Sequence, residues 1–184
     1  MKNIMTTKKV SKNTSKYKII DNALPGDYFN KLKNTIMSDS FPWFYCDSVA
    51  YKNEDDGDYY FVHGIYHEQK PWSDFYLDFE SLVSGELCSM ASKALNIKSL
   101  IRAKVNFYPK TNEIRYHNQH IDEVYKHKGA ILYINDNNGF TVLEDGTKIE
   151  SVSNRILLFD PSKPHNSTTC TDAKCRVNIN INYF

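Results

Sequence analysis

His120, Asp122, His165 and Arg176 are the residues of this chain whose types and spacing can do chemistry together. Residues i and i+2 of an extended strand point to the same side, so His120 and Asp122 can both reach one metal ion. His165 follows Asp122 by 43 residues, enough for the chain to run through several strands and return with a third ligand. Two histidines and one carboxylate hold one face of a non-heme ferrous ion and leave its other positions open for substrate and O₂. Arg176 stands eleven residues beyond His165. Its planar fork can grip a carboxylate through two parallel hydrogen bonds, where a lysine gives only a point contact.

The remaining candidate ligands fit less well. His117 and His127 flank the motif, but neither begins a His-X-Asp, and both are expected to face solvent or substrate. Alternation turns His117 and Glu123 away from the metal side. His63 and His67 have no partners at metal spacing. Cys46, Cys88, Cys170 and Cys175 lack the paired spacing of a zinc site and are expected to be free thiols.

These side chains need strands to carry them. Residues 176–184 alternate, with Val177, Ile179, Ile181 and Tyr183 on one face and Arg176, Asn178, Asn180 and Asn182 on the other. In a barrel the apolar set packs against bracing helices, while Arg176 and Asn178, at the beginning of the polar set, face the interior. Asn106 and Tyr108 share one face of a strand over 105–109 and are expected to point inward, with Tyr133 on another strand. Pro25-Gly26-Asp27 opens a helix to about Ser38 with Phe29, Leu32 and Ile36 on its buried face, after a short strand over 17–20. A second helix is predicted from an N-cap at Ser73 to about Asn96, with a stripe of Phe75, Phe79, Leu82, Val83, Leu87, Met90 and Ala94 interrupted by Gly85.

Between the helices lies an aromatic insert of two strands and a loop, broken by the acidic turn 53–58. Two roles fit it. Either its aromatics finish the core of a half-buried hairpin, or they form a lid whose acidic loop closes over the metal. In the second role Tyr45, Tyr59, Tyr66 and Trp72 become the substrate-contact candidates.

The stretch from about Leu100 to Phe184 resembles the 2-oxoglutarate and Fe(II)-dependent oxygenases, most closely their prolyl-4-hydroxylase-like branch, including the small versions carried by bacteriophages. The resemblance rests on Val105-Asn106-Phe107-Tyr108-Pro109, His120-Ile121-Asp122, Leu132-Tyr133-Ile134-Asn135, Gly139-Phe140-Thr141, Arg155-Ile156-Leu157-Leu158-Phe159-Asp160, Pro164-His165 and Arg176-Val177-Asn178. It implies a mostly β fold with bracing helices around a double-stranded β-helix, of the jelly-roll or cupin-like kind. It further implies iron on His120, Asp122 and His165, and the distal carboxylate of 2-oxoglutarate on Arg176, helped by the Tyr108 hydroxyl. Asn106, Tyr133 and Asn178 would complete that cosubstrate pocket. The implied activity is hydroxylation of a C–H bond with O₂, releasing succinate and CO₂, with ascorbate as an accessory reductant. Two positions depart from the commonest pattern. Arg176 stands where many collagen-type prolyl hydroxylases have lysine, and Asn154 stands where a glycine usually opens the Arg-X-X-X-Phe strand. Asparagine also tolerates a left-handed turn.

Length and composition predict a basic tail over 1–16 and one domain over 17–184. The resemblance implies that this is an oxygenase domain, with bracing helices and the aromatic insert over 17–99 and the catalytic core over 100–184. The 184 residues are 41% apolar and carry a net charge of +1, so no strong global charge recruits nucleic acid or a membrane. No apolar stretch suits a signal peptide or a membrane span, so a cytoplasmic address is expected, the host's for a phage-borne member. The leading expectation is hydroxylation of a prolyl residue in a protein or peptide. Oxidative demethylation of nucleic acid shares the iron site but uses a second arginine six residues after the first, where this chain has Asn182. A non-catalytic cupin-like binding module is the third reading.

Overall fold

Period-two alternation decides which core each strand feeds. The protein was analysed as a computed structural model that describes residues 17–50, 57–84 and 90–184. The basic tail, Tyr51, residues 53–56 of the acidic turn, Gly85, Leu87 and Cys88 lie outside the described residues, as does the side chain of Val83.

In chain order the elements are β1 (Lys18–Ile20), α1 (Gly26–Ile36), β2 (Phe44–Cys46), β3 (Tyr60–His67), β4 (Lys70–Pro71), α2 (Phe75–Ser84), α3 (Met90–Leu95), β5 (Leu100–Pro109), β6 (Lys128–Tyr133), β7 (Asn137–Val142), β8 (Lys148–Ser151), β9 (Ile156–Phe159), β10 (Asn166–Ser167) and β11 (Cys175–Tyr183). The larger sheet runs β1-β9-β6-β11-β5-β3-β2, with β4 on β3, and the smaller runs β10-β7-β8. Every named pairing is antiparallel. This is a double-stranded β-helix with helices on one side.

The larger sheet separates two cores. Val177, Ile179, Ile181 and Tyr183 of β11, Ala103 and Val105 of β5, Ala130 and Leu132 of β6 and Ile156 of β9 pack with Phe29, Leu32, Ile36, Phe75, Phe79 and Leu82 of α1 and α2. The alternate residues Ile131, Tyr133, Leu157 and Phe159 form a smaller cluster with Leu143 and Ile149. A sheet buried on both faces leaves polar inward residues in need of partners. All nine residues of β11 are buried.

Several helix expectations change. The Ser73 hydroxyl lies 2.8 Å from His63 Nε2 and so meets a neighbouring strand, while the first turn of α2 is held by backbone bonds from Tyr76 to Ser73 and from Leu77 to Asp74. Met90 is exposed, and α3 buries Ala91, Ser92 and Leu95 instead. That buried face is out of phase with Phe75, Phe79 and Leu82, so one continuous stripe does not describe both helices.

Asn154 does take the left-handed conformation, at φ 60°. Its side chain adds what glycine lacks: Oδ1 accepts from Leu24 N at 3.0 Å and Nδ2 donates to Leu24 O at 2.9 Å. The turn thereby fastens the segment ahead of α1 to the β core.

Candidate metal centre and acid-binding pocket

His120 and His165 face each other across a single antiparallel bridge rather than within a regular strand. His120 N donates to His165 O at 2.9 Å and His165 N to His120 O at 3.0 Å. Asp122 is held separately, its N–H bonding Pro161 O at 2.9 Å. The spacing of two residues thus brings His120 and Asp122 together through a bridge and a turn, without the strand alternation expected for them.

The three ligating side chains converge. One donor atom from each of His120, Asp122 and His165 lies within 4.8 Å of the others. His120 Nε2 is 3.9 Å from Asp122 Oδ1, and His165 Nε2 is 4.0 Å from Oδ2. The opposite ring nitrogens sit against carbonyls, His165 Nδ1 at 3.0 Å from Lys163 O and His120 Nδ1 at 3.4 Å from Asn118 O. A carbonyl only accepts, so the ring protons belong on Nδ1 and both Nε2 lone pairs turn inward. His165 Nε2 is buried without a hydrogen-bond partner. Burial, reinforced by His165, pushes the His120 imidazole down to about 4, which keeps it neutral and able to bind metal. Burial alone would raise the Asp122 carboxyl, but Arg102 and His165 beside it hold it below its ordinary value. Two imidazoles with their Nε2 atoms turned inward beside an ionised carboxylate fit a divalent ion.

Arg176 lies farther in, at the fully buried start of β11. Asn135 clamps the backbone on both sides of it, donating from Nδ2 to Cys175 O at 2.8 Å and accepting from Val177 N at 2.9 Å. The guanidinium donates from Nε to Ser151 Oγ at 2.9 Å and from Nη2 to Thr141 Oγ1 at 3.1 Å. It stands 5.3 Å from the Tyr108 ring centroid and 5.7 Å from that of Tyr133. Nη1 is buried with no partner, and no carboxylate among the described residues pairs with this cation. A buried charge left uncompensated costs several kcal/mol, on the order of 3–5 when its partner is removed. The pocket therefore suits an anion.

Tyr108 and Tyr133 are buried beside it. Burial raises both phenols, and the Arg176 charge offsets part of that rise. Tyr133 donates to Thr141 Oγ1 at 2.9 Å, and Asn106 Nδ2 donates to Asn178 Oδ1 at 3.0 Å. The structure thus gathers Arg176, Tyr108, Tyr133, Asn106 and Asn178 on one inner surface.

Other placements differ from expectation. His117 and His127, expected to face solvent or substrate, are buried, which removes the first alternative. His117 stacks on Tyr108 at 5.0 Å with Nδ1 at 2.7 Å from Ser167 Oγ, and His127 Nδ1 meets Tyr125 O at 2.9 Å. Tyr45 and Tyr59 contact each other and Phe61, on the face of β3 opposite Tyr60 and its stacking partner Tyr108. They do not line the metal side. Tyr66 leans on Tyr76 of α2 and borders a groove, whereas Trp72 forms a wall of it.

Sequence reasoning gave no site role to Arg102, Lys104, Thr141, Ser151 or Asn180, although Asn180 stood on the polar face of its strand and Thr141 in a motif of the resemblance. Arg102 Nη2 donates to Asp122 Oδ1 at 2.8 Å and Asn180 Nδ2 approaches Oδ2 at 3.4 Å, orienting the candidate ligand. The signal for two of them was the alternation Arg102, Lys104, Asn106, Tyr108 along one strand. Burial and the neighbouring Arg102 push the Lys104 ammonium down to about 8.

Neither a family model nor a curated protein sequence matches the chain, so likeness to known proteins is carried by shape. A Pseudomonas putida prolyl-4-hydroxylase superposes with a TM-score of 0.62 at 14% identity, over 92% of this chain and 93% of that one. A Trichoplax adhaerens prolyl hydroxylase, solved with a hypoxia-inducible-factor degradation-domain peptide, gives 0.65 at 16% identity, over 94% and 84%. The chain has the prolyl-hydroxylase fold. A viral collagen prolyl hydroxylase from Paramecium bursaria Chlorella virus-1, in its 2-oxoglutarate complex, gives 0.58 at 13% identity, over 92% and 96%. Within this fold, Asp122 meets Arg102 and Asn180 toward one end of the inner face of β5 and β11, and Arg176 stands opposite Tyr108 toward the other.

Proposed function

We propose that the protein is an Fe(II)- and 2-oxoglutarate-dependent dioxygenase that hydroxylates a C–H bond in a peptide, with a prolyl residue as its target and residues 17–184 acting as one catalytic unit. One observation carries this: a two-histidine, one-carboxylate cluster is held by Arg102 and Asn180 on the same face of β5 and β11 that carries a buried arginine with an unpaired donor. Bound Fe(II), 2-oxoglutarate and O₂ would supply the oxidation, yielding succinate, CO₂ and the hydroxylated product, with ascorbate as an accessory reductant. His120, Asp122 and His165 would hold the ion. Arg176 would receive the far carboxylate of the cosubstrate on Nη1, while Tyr108, Tyr133, Asn106 and Asn178 shape the pocket around its chain. Arg102 and Asn180 keep the Asp122 carboxylate aimed. Phe159, edge-on to His165 at 5.0 Å, helps exclude water.

The peptide assignment draws on the neighbours, of which the Trichoplax protein is seen with a peptide fragment. No helix among the described residues is long and apolar enough to cross a membrane. Where a nucleic-acid demethylase would carry its second arginine, Asn182 is fully buried in β11.

The test is to load the protein with Fe(II) anaerobically, add 2-oxoglutarate and O₂, and follow succinate with proline-containing peptides or methylated oligonucleotides. Peptide-stimulated succinate with a hydroxylated peptide is expected. Stimulation by the oligonucleotide alone would replace the substrate assignment, and failure to bind both iron and 2-oxoglutarate would reduce the protein to a binding module.

A further inference from the structure

Register carries a polar double row across the inner face of β5 and β11. Tyr108 opposes Arg176, Asn106 opposes Asn178, Lys104 opposes Asn180 and Arg102 opposes Asn182. The first two pairs line the pocket described above. The last two bring a pair of cations to the Asp122 end, where Arg102 bonds the carboxylate directly.

Those cations carry more charge than the described residues neutralise. Arg102 spends Nη2 on Asp122, but its Nε is buried with no partner. Lys104 Nζ reaches the Tyr60 hydroxyl at 3.3 Å and lies 5.5 Å from the centroid of that ring, and no carboxylate among the described residues comes within ion-pair distance of it. With a ferrous ion, its carboxylate ligand and a dicarboxylate in place, Arg102, Lys104 and Arg176 would leave the cavity net positive. A charge held in a partly dry site interacts far more strongly with an incoming anion than it would in water.

A groove opens from these two residues toward solvent. It encloses about 630 Å³ and is bordered by Phe44, Tyr60, Gly64, Trp72, Arg102 and Lys104, with no Asp or Glu among its described lining. Trp72 seats directly against Gly64, where a Cβ would fall 3.0 Å from the indole Cε3. Phe44 and Trp72 are 61% and 53% exposed, a large apolar surface left open beside a cationic end. The volume is that of a site for a drug-sized ligand, larger than a single amino acid needs.

We propose that this groove takes a peptide carrying an acidic side chain beside the residue presented to the metal, its carboxylate pairing with Lys104 and Arg102 Nε while the flanking residue packs on Trp72 and Phe44. This rests on the dioxygenase reading and specifies its substrate class. Charge sets the choice, because a neutral or basic neighbour would leave Arg102 Nε unpaired and Lys104 with no anion beside it.

The test measures binding without turnover, on protein loaded with Mn(II) and 2-oxoglutarate under argon. Three proline-containing peptides differ only in having Glu, Gln or Lys beside the proline. The Glu peptide is expected to bind at least about tenfold tighter than the Gln peptide, the equivalent of about 1.4 kcal/mol. Lys104→Glu should turn the order toward the Lys peptide, and Lys104→Gln, which keeps a polar side chain, should level the Glu and Gln peptides. Equal affinities for all three, or an order unmoved by both variants, would overturn the inference even with Mn(II) and 2-oxoglutarate bound. Displacement of the Glu peptide by free proline or by an oligonucleotide at similar concentration would overturn it too. If neither Mn(II) nor 2-oxoglutarate binds, the dioxygenase reading falls, while the peptide order on the same protein still decides the charge preference.

Discussion

Gly139 on β7 and Arg176 on β11 touch so closely that no methyl group fits between them. A Cβ on residue 139 would fall 2.6 Å from Arg176 Cδ and 2.6 Å from the carbonyl oxygen of Thr169. Backbone cannot yield there as a flexible side-chain end would, so the guanidinium would have to move. Gly139→Ala is therefore expected to weaken 2-oxoglutarate at least about tenfold, in line with the cost of a misplaced positioning group, and to leave Mn(II) affinity near wild type. Calorimetry with each ligand separates the two. An unchanged 2-oxoglutarate affinity would show that Arg176 is not the anchor or that Gly139 does not place it.

Arg176 itself should act on the cosubstrate and not on the metal. Arg176→Met keeps most of the buried stem and removes the fork that Ser151 and Thr141 hold in place. Truncating one partner of a buried charged pair costs roughly 2–5 kcal/mol, or about 30-fold to a few thousand-fold in affinity. Loss of 2-oxoglutarate binding on that scale, with metal binding kept, is expected from titrations of the variant. Parallel loss of both would recast Arg176 as a structural residue of the inner core.

Metal should tie down the segment that carries His120 and Asp122. That segment has one bridge to His165 and one backbone bond to Pro161 in place of a strand ladder. Mn(II) at a hundred times its dissociation constant adds about 2.7 kcal/mol to the folded state, which for a domain of this size raises Tm by roughly 5–10 °C. Amide exchange at His120 and Asp122 should slow on loading. Asp122→Ala should abolish both responses, and a full Tm rise in that variant would remove Asp122 from the ligand set.

Two kinds of information differ in how well they show in the chain. The alternation in 176–184 announced which side chains face helices and which face the cavity, because both faces of β11 are buried and each must be chemically consistent. The convergence of His120, Asp122 and His165 and the burial of Arg176 were legible for another reason: such residues are rare and their order along the chain is distinctive. Arg102 and Lys104 obeyed that alternation too, but a cation in a strand normally reads as a solvated face, and only the register against Asn180 and Asn182 turns both inward. Tyr45 and Tyr59 failed in the opposite sense. Aromatic residues cluster on both faces of β3, and composition alone does not say that Tyr60, not its neighbour Tyr59, meets Tyr108. The face that α3 buries was not legible, because Ala91, Ser92 and Leu95 fall off the stripe that Phe75, Phe79 and Leu82 begin.

His63 gives the fold a titration separate from the metal centre. Its Nδ1 lies 2.8 Å from Pro42 O and its Nε2 2.8 Å from Ser73 Oγ, with Phe41 at a ring distance of 4.5 Å. Burial holds the imidazole below its ordinary value of 6.5, with the Pro42 carbonyl pulling weakly the other way. The unfolded chain therefore takes up this proton first as pH falls. Stability from the neutral ring is complete above 6.5 and is lost progressively as pH drops toward the folded value. In metal-free protein, His63→Phe should flatten the fall in urea stability between about pH 7.5 and 5.5 relative to wild type. His120, which burial also holds low, contributes to both proteins and cancels in the comparison. The variant starts less stable, since Ser73 and Pro42 each lose a buried partner, so the decisive quantity is the slope with pH and not the absolute value. Equal slopes would mean that His63 is protonated as readily inside the fold as outside it.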